Sequence, residues 1–351
     1  MSFRRPNFFV VGAPKCGTTA LYHALLGHPE VYLPHSNEPG KYWITKEPHF
    51  FSDDLGIEDW IRITKEEDYL SLFAAADDQT RVGEVSALYL FSRSAPRRIL
   101  DSCGEDVRII ILLRPPVDWM RSWHHDCLRY AHENIGDFHA ALEAGADRKQ
   151  GRALPPGCGF KGTLDYRSFA RFHESVEHYL EVFGRERVSV HLLEDLNQDP
   201  AKVLREVAEF LGISAEPLAS IERQNDSAVL SGAHLWEFRI RRALGNRRMG
   251  NRLLSAIPRG PLRLFRKALS RWLPPLSDKS IDPDLRAALV EEFRPDVEKL
   301  GKLIGRDLSH WNGDLPPDGS AETGGTASHA QVPPTDPLVG SSTGIASPVS
   351  G

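Results

Sequence analysis

Long apolar runs are missing from this sequence of 351 residues. Nothing in it approaches the roughly 18 consecutive apolar residues that a membrane-spanning helix requires. The apolar run at residues 8–11 is too short for the core of a secretory signal peptide. Cysteine is also scarce, and its four copies show neither close pairs nor the spacing of metal ligands: Cys16, Cys103, Cys127 and Cys158. These absences argue against a disulfide-rich secreted domain and predict a globular protein of the reducing cytoplasm.

The loop after the first predicted strand lacks the lysine that follows the second glycine in the phosphate loop of nucleotide hydrolases. Residues 8–11 are apolar β-formers, and Gly12 and Gly17 bracket a turn before a helical stretch. The spacing is close to the phosphate loop of nucleotide hydrolases, but Thr18 stands where they have lysine, and the only cation is Lys15 inside the loop. Backbone N–H groups of such a loop and helix N-terminus can bind an anion. A plain tight turn is the alternative.

An aspartate is missing from the end of a second apolar strand. Residues 107–113 form a continuous β-branched and aliphatic run, which is typical of a buried parallel strand. In metal-using nucleotide hydrolases a comparable strand ends in an aspartate that helps hold magnesium. Here the strand ends in Arg114, and a helix after two prolines carries Ser122. A cation at the strand end and a hydroxyl eight residues later suit a second anion rather than a metal ion.

A third motif covers residues 46–51, with the sequence Lys-Glu-Pro-His-Phe-Phe. It is similar to the Lys-Glu-x-x-Phe-Phe element of carbohydrate-type and bacterial sulfotransferases. Residues 14–19 resemble the 5′-phosphosulfate loop of sulfotransferases that use 3′-phosphoadenylyl sulfate (PAPS), and Arg114 with Ser122 resembles their 3′-phosphate-binding pair. The resemblance covers roughly residues 5–312 and continues through residues 83–86, 194–196, 210–212 and 305–311.

The resemblance implies a donor, PAPS, and a reaction that needs no metal ion. Lys15 would stabilise charge on the departing phosphate, and Glu47 would take the acceptor proton as general base. Arg114 and Ser122 would bind the 3′-phosphate and so distinguish PAPS from ATP. The 5′-phosphosulfate would lie on Lys15 and the residues that follow it: Cys16, Gly17, Thr18 and Thr19.

Glu47 lies between a lysine and an apolar run, which predicts a pKa raised toward that of a useful base. A surface lysine–glutamate pair is the alternative, and His49 is a second candidate for the base. Glu84 and Ser86 resemble acceptor-side positions of the family, with a structural hydrogen-bonding role as the alternative.

The acceptor is predicted by class only. The residues 46–51 element favours a hydroxyl or amine of a carbohydrate, a glycolipid or another small molecule, and no feature predicts nucleic acid as a partner. Tyr42 and Trp43 predict an aromatic platform for the acceptor, with ordinary packing as the alternative. One of His124 and His125 is a candidate to line the acceptor cleft.

Two other function classes are weighed against a sulfotransferase. A small-molecule kinase of related fold is disfavoured by Thr18 at the lysine position and by the missing metal aspartate. A non-catalytic nucleotide-binding or membrane-binding module would leave Glu47 without a role.

Strands alternate with helical stretches, which predicts a three-layer α/β fold with a central parallel sheet, like that of the phosphate-loop nucleotide hydrolases. Ligands of such folds bind at the carboxyl ends of the strands, where Gly12 and Arg114 both lie. A glycine- and proline-rich stretch at residues 136–162 predicts a mobile flap. The other predicted strands and helices are strands 81–86 and 187–193 and helices 18–26, 59–76, 94–100, 166–183, 200–211 and 285–304.

The domain prediction is one sulfotransferase domain at residues 1–312 and a disordered tail at 313–351, rich in Pro, Gly, Ser and Thr. Residues 239–271 carry eleven Lys and Arg and no Asp or Glu, leaving 32 basic against 48 acidic residues elsewhere. Short amphipathic helices there would allow peripheral contact with an anionic membrane or acceptor. The segment could instead flank the nucleotide phosphates or pair with the acidic remainder of the chain.

Overall fold

A computed structural model describes residues 4–38, 41–130, 132–216, 218 and 281–313. The strands in this part of the chain are β1 Phe8–Gly12, β2 Val31–Tyr32, β3 Arg81–Val85, β4 Arg108–Leu113 and β5 Val188–Leu192. The α-helices are α1 Thr18–Leu26, α2 Tyr42–Lys46, α3 Glu66–Ser71, α4 Ala95–Cys103, α5 Pro116–Arg129, α6 Phe138–Glu143, α7 Gly145–Lys149, α8 Tyr166–Phe169, α9 Phe172–Phe183, α10 Leu193–Gln198, α11 Pro200–Leu211 and α12 Pro283–Ile304. The basic segment 239–271 and the predicted tail from residue 314 onward lie outside the described residues.

The five strands of the described residues form one parallel sheet in the order β2-β3-β1-β4-β5. All of β1 is buried, and so is all of β4 except its first residue, Arg108. Strands of this kind need helices over both faces, because apart from Arg108 their side chains are apolar and point alternately to the two faces of the sheet. The predicted α/β fold with a central parallel sheet is confirmed.

The carboxyl ends of three neighbouring strands meet at one edge of the sheet. The N–H of Ala13, after β1, donates to the carbonyl of Leu112 in β4 at 2.6 Å. The N–H of Ser86, after β3, donates to the carbonyl of Val10 in β1 at 3.2 Å. The loops after β1, β3 and β4 therefore start side by side, as the ligand-binding edge of a parallel sheet requires.

The predicted helix at residues 59–76 is wrong in its first half. Only Glu66–Ser71 is α-helical, and the residues before it form a turn and an extended stretch. Their backbone groups are bonded elsewhere: the N–H of Glu58 donates to Gly159 at 3.0 Å, and that of Ile63 donates to Pro48 at 2.8 Å. These tertiary bonds replace the local helical bonds, and the turn leaves Trp60 exposed.

The predicted helix at residues 166–183 is divided into α8 and α9. Arg171 between them has a ψ of 82°, which is not helical. The N–H of His173 donates to the Asp296 carboxylate of α12 at 3.4 Å, so α9 starts where it meets α12. The contact satisfies an N–H group that a helix N-terminus leaves without an intrahelical partner.

The residues that follow α12 contact α10. The indole N–H of Trp311 donates to Glu194 at 2.6 Å, and Arg306 pairs with Asp195 at 2.9 Å. Within the described residues no helix combines the length and the apolar character needed to cross a membrane.

Candidate active site

The loop between β1 and α1 requires glycine at both of its ends. A Cβ on Gly12 would lie 2.4 Å from the Cβ of Leu90. Gly17 has a φ of 91°, and a Cβ there would lie 2.7 Å from Leu196 of α10. The backbone of the loop can pass this closely to its neighbours only because both positions lack a side chain.

Two side chains from the β4–α5 segment hold the loop from outside. The indole N–H of Trp119 donates to the carbonyl of Pro14 at 2.9 Å, and Arg114 donates to the carbonyl of Lys15 at 3.3 Å. Helix α1 then begins at Thr18 with no side-chain cap and no acidic residue in its first turn. Its first N–H groups are thus available to an anion, which the helix dipole also favours.

Lys15 is aimed across the loop toward α5. Its Nζ lies 2.9 Å from Oδ1 of Asp126, and about a third of the lysine side chain is exposed. Asp126 lies one helical turn after Ser122 on the same face of α5. The structure therefore brings Arg114 and Asp126 to the loop that carries Lys15, and Ser122 lies one turn before Asp126 on α5. The binding of anions by Lys15, Arg114 and Ser122 stays a prediction. Asp126 was missed, although its spacing of four residues from Ser122 was a usable signal.

Cys16 is fully buried in the loop. Burial raises the pKa of its thiol to about 12, although Arg114 acts in the opposite direction. The thiol is therefore neutral at physiological pH and a poor nucleophile. This environment fits a small residue that fills the loop, and a contribution to binding through the backbone rather than through sulfur.

Glu47 follows α2 and faces the same edge of the sheet. Its Oε1 lies 2.6 Å from Nζ of Lys46, its Oε2 lies 3.9 Å from the His49 imidazole, and 18% of its side chain is exposed. Burial alone would raise the pKa of Glu47, but the Lys46 ammonium and His49 outweigh it and hold that pKa below its ordinary value. The predicted rise is wrong, because the lysine of the motif is buried against the carboxylate rather than directed to solvent.

A backbone contact connects Glu47 to the loop. The N–H of Ala87 donates to Oε2 of Glu47 at 3.4 Å. The carbonyl of Ala87 in turn lies 3.0 Å from the position of a Cβ on Gly12. Ala87 thus lies between Glu47 and Gly12, where the loop that carries Lys15 starts.

A buried hydrogen-bond network connects Glu84, in β3, to the segment that carries Glu47. The Glu84 carboxyl, which is fully buried, accepts from Tyr69 Oη at 2.6 Å and from Ser86 Oγ at 2.7 Å. Ser86 Oγ also accepts from the N–H of His49 at 3.2 Å. Burial raises the pKa of Glu84 to about 7, although the hydroxyl donors act to lower it. These contacts favour the structural role weighed for Glu84 and Ser86.

Comparison with known proteins places this arrangement in a family. The model of the sulfotransferase domain family matches residues 5–234, which is more than half of the chain. The chain belongs to the sulfotransferase family. It is an enzyme that transfers sulfuryl groups.

Relatives of the sulfotransferase have heparan sulfate or carbohydrate in their names. It is 27% identical to human bifunctional heparan sulfate N-deacetylase/N-sulfotransferase 3, over 88% of this chain and 31% of the relative. It is 30% identical to mouse bifunctional heparan sulfate N-deacetylase/N-sulfotransferase 1, over 88% of this chain and 31% of the relative. Human carbohydrate sulfotransferase 15 is 26% identical, over 59% of this chain and 44% of the relative. The chain spans less than half the length of these curated relatives.

A solved structure is similar over almost its whole length. The sulfotransferase from Alicyclobacillus acidocaldarius is 30% identical and superposes with a TM-score of 0.62. The match covers 88% of this chain and 99% of that one.

The three histidines considered for the site differ in burial: His49 and His124 are buried, whereas His125 is half-buried. His124 is fully buried, its Nε2 lies 2.9 Å from the carbonyl of Ile135, and burial lowers its pKa to about 4. It therefore cannot line an acceptor cleft, and only His125, which is half-buried, keeps that prediction. Burial also lowers the pKa of His49 to about 4, so the ring is neutral beside Glu47.

Trp43 lies next to the Lys46 ammonium, which is 5.7 Å from the centre of its indole. Tyr42 packs edge-on against Trp43 and bonds to His23 at 3.1 Å, whereas Trp43 is 44% exposed. The acceptor platform remains a prediction, and Trp43 is the better placed of the two. Across the described residues, no group of three or more His, Cys, Asp and Glu is arranged to hold a metal ion.

Proposed function

We propose that this sulfotransferase moves a sulfuryl group from PAPS to a hydroxyl or amine of a carbohydrate acceptor. The observation that carries the proposal is the convergence of two anion-binding elements and one carboxylate at a single edge of the sheet. Arg114 and Trp119 bond to the loop that carries Lys15, and the Ala87 backbone connects that loop to Glu47.

The donor would be held at both of its anionic ends. The N–H groups of residues 16–19 and the Lys15 ammonium would bind the 5′-phosphosulfate. Arg114, whose guanidinium already reaches the loop carbonyl, and Ser122 on α5 would bind the 3′-phosphate. In this arrangement Asp126 is a positioning residue, because its carboxylate fixes the ammonium of Lys15.

The transfer needs one proton acceptor and one stabilised leaving group. The acceptor oxygen or nitrogen would attack sulfur, the bond from sulfur to the bridging phosphate oxygen would break, and Glu47 would take the acceptor proton. Lys15 would stabilise the charge that develops on the departing phosphate. Lys46 occupies Oε1 of Glu47, and Oε2, which accepts the long 3.4 Å bond from the N–H of Ala87, keeps a second lone pair to receive the proton.

The carbohydrate class of the acceptor is supported by the relatives named above, which carry heparan sulfate or carbohydrate in their names. Because the chain spans less than half of those relatives, their full activities are not transferred to it.

Incubation with donor labelled on the sulfuryl group, and separately with ATP labelled on the γ-phosphate, tests the reaction class. Transfer of label from the sulfate donor alone, to at least one carbohydrate in an acceptor screen, is the expected result. Phosphoryl transfer from ATP would establish the kinase alternative instead. No transfer from either would leave a binding module, and the enzymatic proposal would fall.

Calorimetry tests the donor site separately. We expect 3′,5′-bisphosphoadenosine to bind far more tightly than AMP. Arg114→Ala should remove most of that preference, since a charge-assisted hydrogen bond is worth roughly 1.5–3 kcal/mol. Arg97→Ala, at an exposed arginine of α4, is the control and should leave both affinities unchanged. Equal affinity of the unaltered protein for the two nucleotides would refute the 3′-phosphate assignment.

A further inference from the structure

An open groove lies where the turn at residues 56–60 meets the segment that carries Lys161, and it has no role in the chemistry described so far. It has a volume of about 590 Å³ and is lined by residues 56–60 and Lys161. We refer to it as the Trp60 groove. Its two walls are joined by backbone contacts: Ile57 pairs with Phe160 in an antiparallel bridge, and the N–H of Glu58 donates to Gly159 at 3.0 Å.

The indole of Trp60 is held in place although 61% of the residue is exposed. A Cβ on Gly159 would lie 3.0 Å from Trp60 Cζ2 and 2.0 Å from Ile61 Cδ1, so the turn lies directly on the glycine backbone. The indole also stacks on His132, with ring centroids 6.5 Å apart and planes 29° apart. The N–H of Gly159 donates to Nδ1 of His132 at 3.1 Å, which fixes the histidine under the indole.

The charged side chains near the indole form two ion pairs, each between a carboxylate and a cation. Glu58 accepts from Lys161 Nζ at 2.6 Å, and Asp59 pairs with Arg62 at 3.0 Å. Hydroxyl groups can bond to either member of such a pair. The negative face of an indole attracts the polarised C–H groups of a sugar ring. An exposed, immobilised indole between hydroxyl-binding groups matches the chemistry of a carbohydrate.

A series of ring contacts connects the groove to the Glu47 segment. The ring of Trp60 contacts that of His132, which lies 4.7 Å from Phe160, which lies 6.1 Å from His49. The N–H of Ile63 donates to the carbonyl of Pro48 at 2.8 Å, so the groove turn and the Glu47 segment also share a backbone bond. The groove turn is thus packed against the Glu47 segment through several rings and one backbone bond, and the groove lies away from the reaction centre.

We propose that the Trp60 groove binds a sugar ring of a chain-like acceptor, at a distance from the ring that is sulfated. The inference rests on the proposed function, because it assumes a carbohydrate acceptor at Glu47. It adds that the acceptor is an oligosaccharide or polysaccharide rather than a monosaccharide or a small metabolite. Trp60 is a specificity-determining residue in this scheme and takes no part in the chemistry.

Two graded series of oligosaccharides test the proposal, one alternating glucosamine with glucuronic acid and one alternating galactosamine with glucuronic acid. Each series runs from the disaccharide to the decasaccharide, and kcat and KM are measured with labelled PAPS. We expect KM to fall with length in the series that is sulfated. Trp60→Ala should raise KM for the longest acceptor by about tenfold while leaving kcat and the shortest active acceptor unchanged.

Two further variants separate recognition from folding. Trp60→Phe keeps an aromatic face and should restore most of the affinity for the longest acceptor. Glu58→Gln removes a hydroxyl-binding charge and should weaken the same acceptor in the same direction. Affinity for 3′,5′-bisphosphoadenosine should be equal in all variants, because the contacts of Trp60 described above are made to His132 and Gly159 rather than to the donor loop.

The outcomes are distinguishable. Sulfation of one series with a KM that is independent of length, or insensitive to Trp60→Ala, would overturn the groove assignment and leave the proposed function standing. Absence of sulfation in both series at every length, with transfer to a monosaccharide in the acceptor screen, would overturn the groove assignment and leave the proposed function standing, whereas absence of transfer to every carbohydrate in that screen would overturn the acceptor class and the groove with it. An equal loss with short and long acceptors would show that Trp60 acts at the reaction centre instead.

Discussion

Lys46 and Glu47 form an ion pair in which the two partners differ in exposure. The Lys46 side chain is fully buried, with its ammonium 5.6 Å from the Tyr22 ring, whereas Glu47 keeps 18% of its side chain exposed. A buried ammonium is costly unless it is paired, so Lys46 needs a charged Glu47. The carboxylate is thereby held in one orientation and in its ionised form, which is the form a general base needs.

Glu47→Gln should lower turnover by about a hundredfold or more, because the amide cannot accept the acceptor proton. Donor affinity, measured by calorimetry with 3′,5′-bisphosphoadenosine, should be retained. The lowered pKa of Glu47 has a second consequence. In the unaltered enzyme, activity should not decline through loss of this base as the pH falls from about 8 to about 6. Near-normal turnover in the variant would transfer the role of base to another group.

Glu84 predicts a pH dependence of stability rather than of activity. Its pKa is about 7 in the folded protein and near 4.5 when exposed, so the folded state binds the proton more tightly. This contribution to stability is complete below about pH 4.5 and is lost as the pH rises through 7. The free energy of unfolding should fall by up to about 3 kcal/mol over that interval.

Urea unfolding at a series of pH values measures this effect. Glu84→Gln removes the titrating group and should give a clearly smaller fall than the unaltered protein. Asp101→Asn, at an exposed position of α4, is the control and should fall with the unaltered protein. Parallel curves for Glu84→Gln and the unaltered protein would show that Glu84 does not titrate in this range.

Helix α5 is the element that assembles the donor site. Its first turn follows Arg114, its second turn holds the loop through Trp119, and the next turns present Ser122 and Asp126. The indole of Trp123, one turn further along the same face, stacks on Trp119 but donates to Thr163 at 3.3 Å. The helix thus carries two buried tryptophans with the same kind of bond, of which only one touches the loop.

This pair provides a matched test of the loop's support. Trp119→Phe removes the bond to Pro14 and should weaken 3′,5′-bisphosphoadenosine binding roughly three- to tenfold, with a loss of about 1 kcal/mol in stability. Trp123→Phe should cost a similar free energy of unfolding with unchanged nucleotide affinity. Calorimetry and urea unfolding of both variants give the comparison. Equal effects on nucleotide affinity would mean that Trp119 supports the fold only.

At the scale of the whole molecule, charge is distributed unevenly along the chain. The formal net charge of −5 hides a basic segment at residues 239–271 with eleven Lys and Arg and no Asp or Glu. Apolar residues are interleaved with these cations, as in amphipathic segments that attract anionic surfaces. Peripheral contact with an anionic membrane remains a prediction from the sequence.

Vesicle sedimentation measures this contact. The protein should bind vesicles containing an anionic phospholipid but not neutral ones, and binding should weaken as salt shortens the screening length. Replacing Arg247, Arg248 and Arg252 by Ser should reduce binding without affecting 3′,5′-bisphosphoadenosine. If the triple variant instead loses nucleotide affinity and the vesicles are ignored, the segment belongs to the donor site.

The local order of residues was sufficient to predict the central sheet and the glycine-bracketed loop after β1. Unbroken apolar runs at β1 and β4 can be buried only under helices on both faces, so strand type and sheet type follow from the sequence. The spacing of Gly12 and Gly17 and the position of Arg114 at a strand end also follow from it. The bounds of the predicted helix at 200–211 agree with α11 because Pro200 and Gly212 mark its ends locally.

The state of the site was decided by contacts between distant segments. Asp126 lies 111 residues from Lys15 along the chain, and burial of Lys46 depends on Tyr22 of another helix. The pKa of Glu47 could not be predicted from its neighbours in sequence, because it depends on which charge is buried with it. Trp60 likewise lies in a turn rather than in the predicted helix. The carbonyls of Gly159 and Pro48 accept from the backbone N–H groups on either side of it, and these bonds hold the indole at the surface.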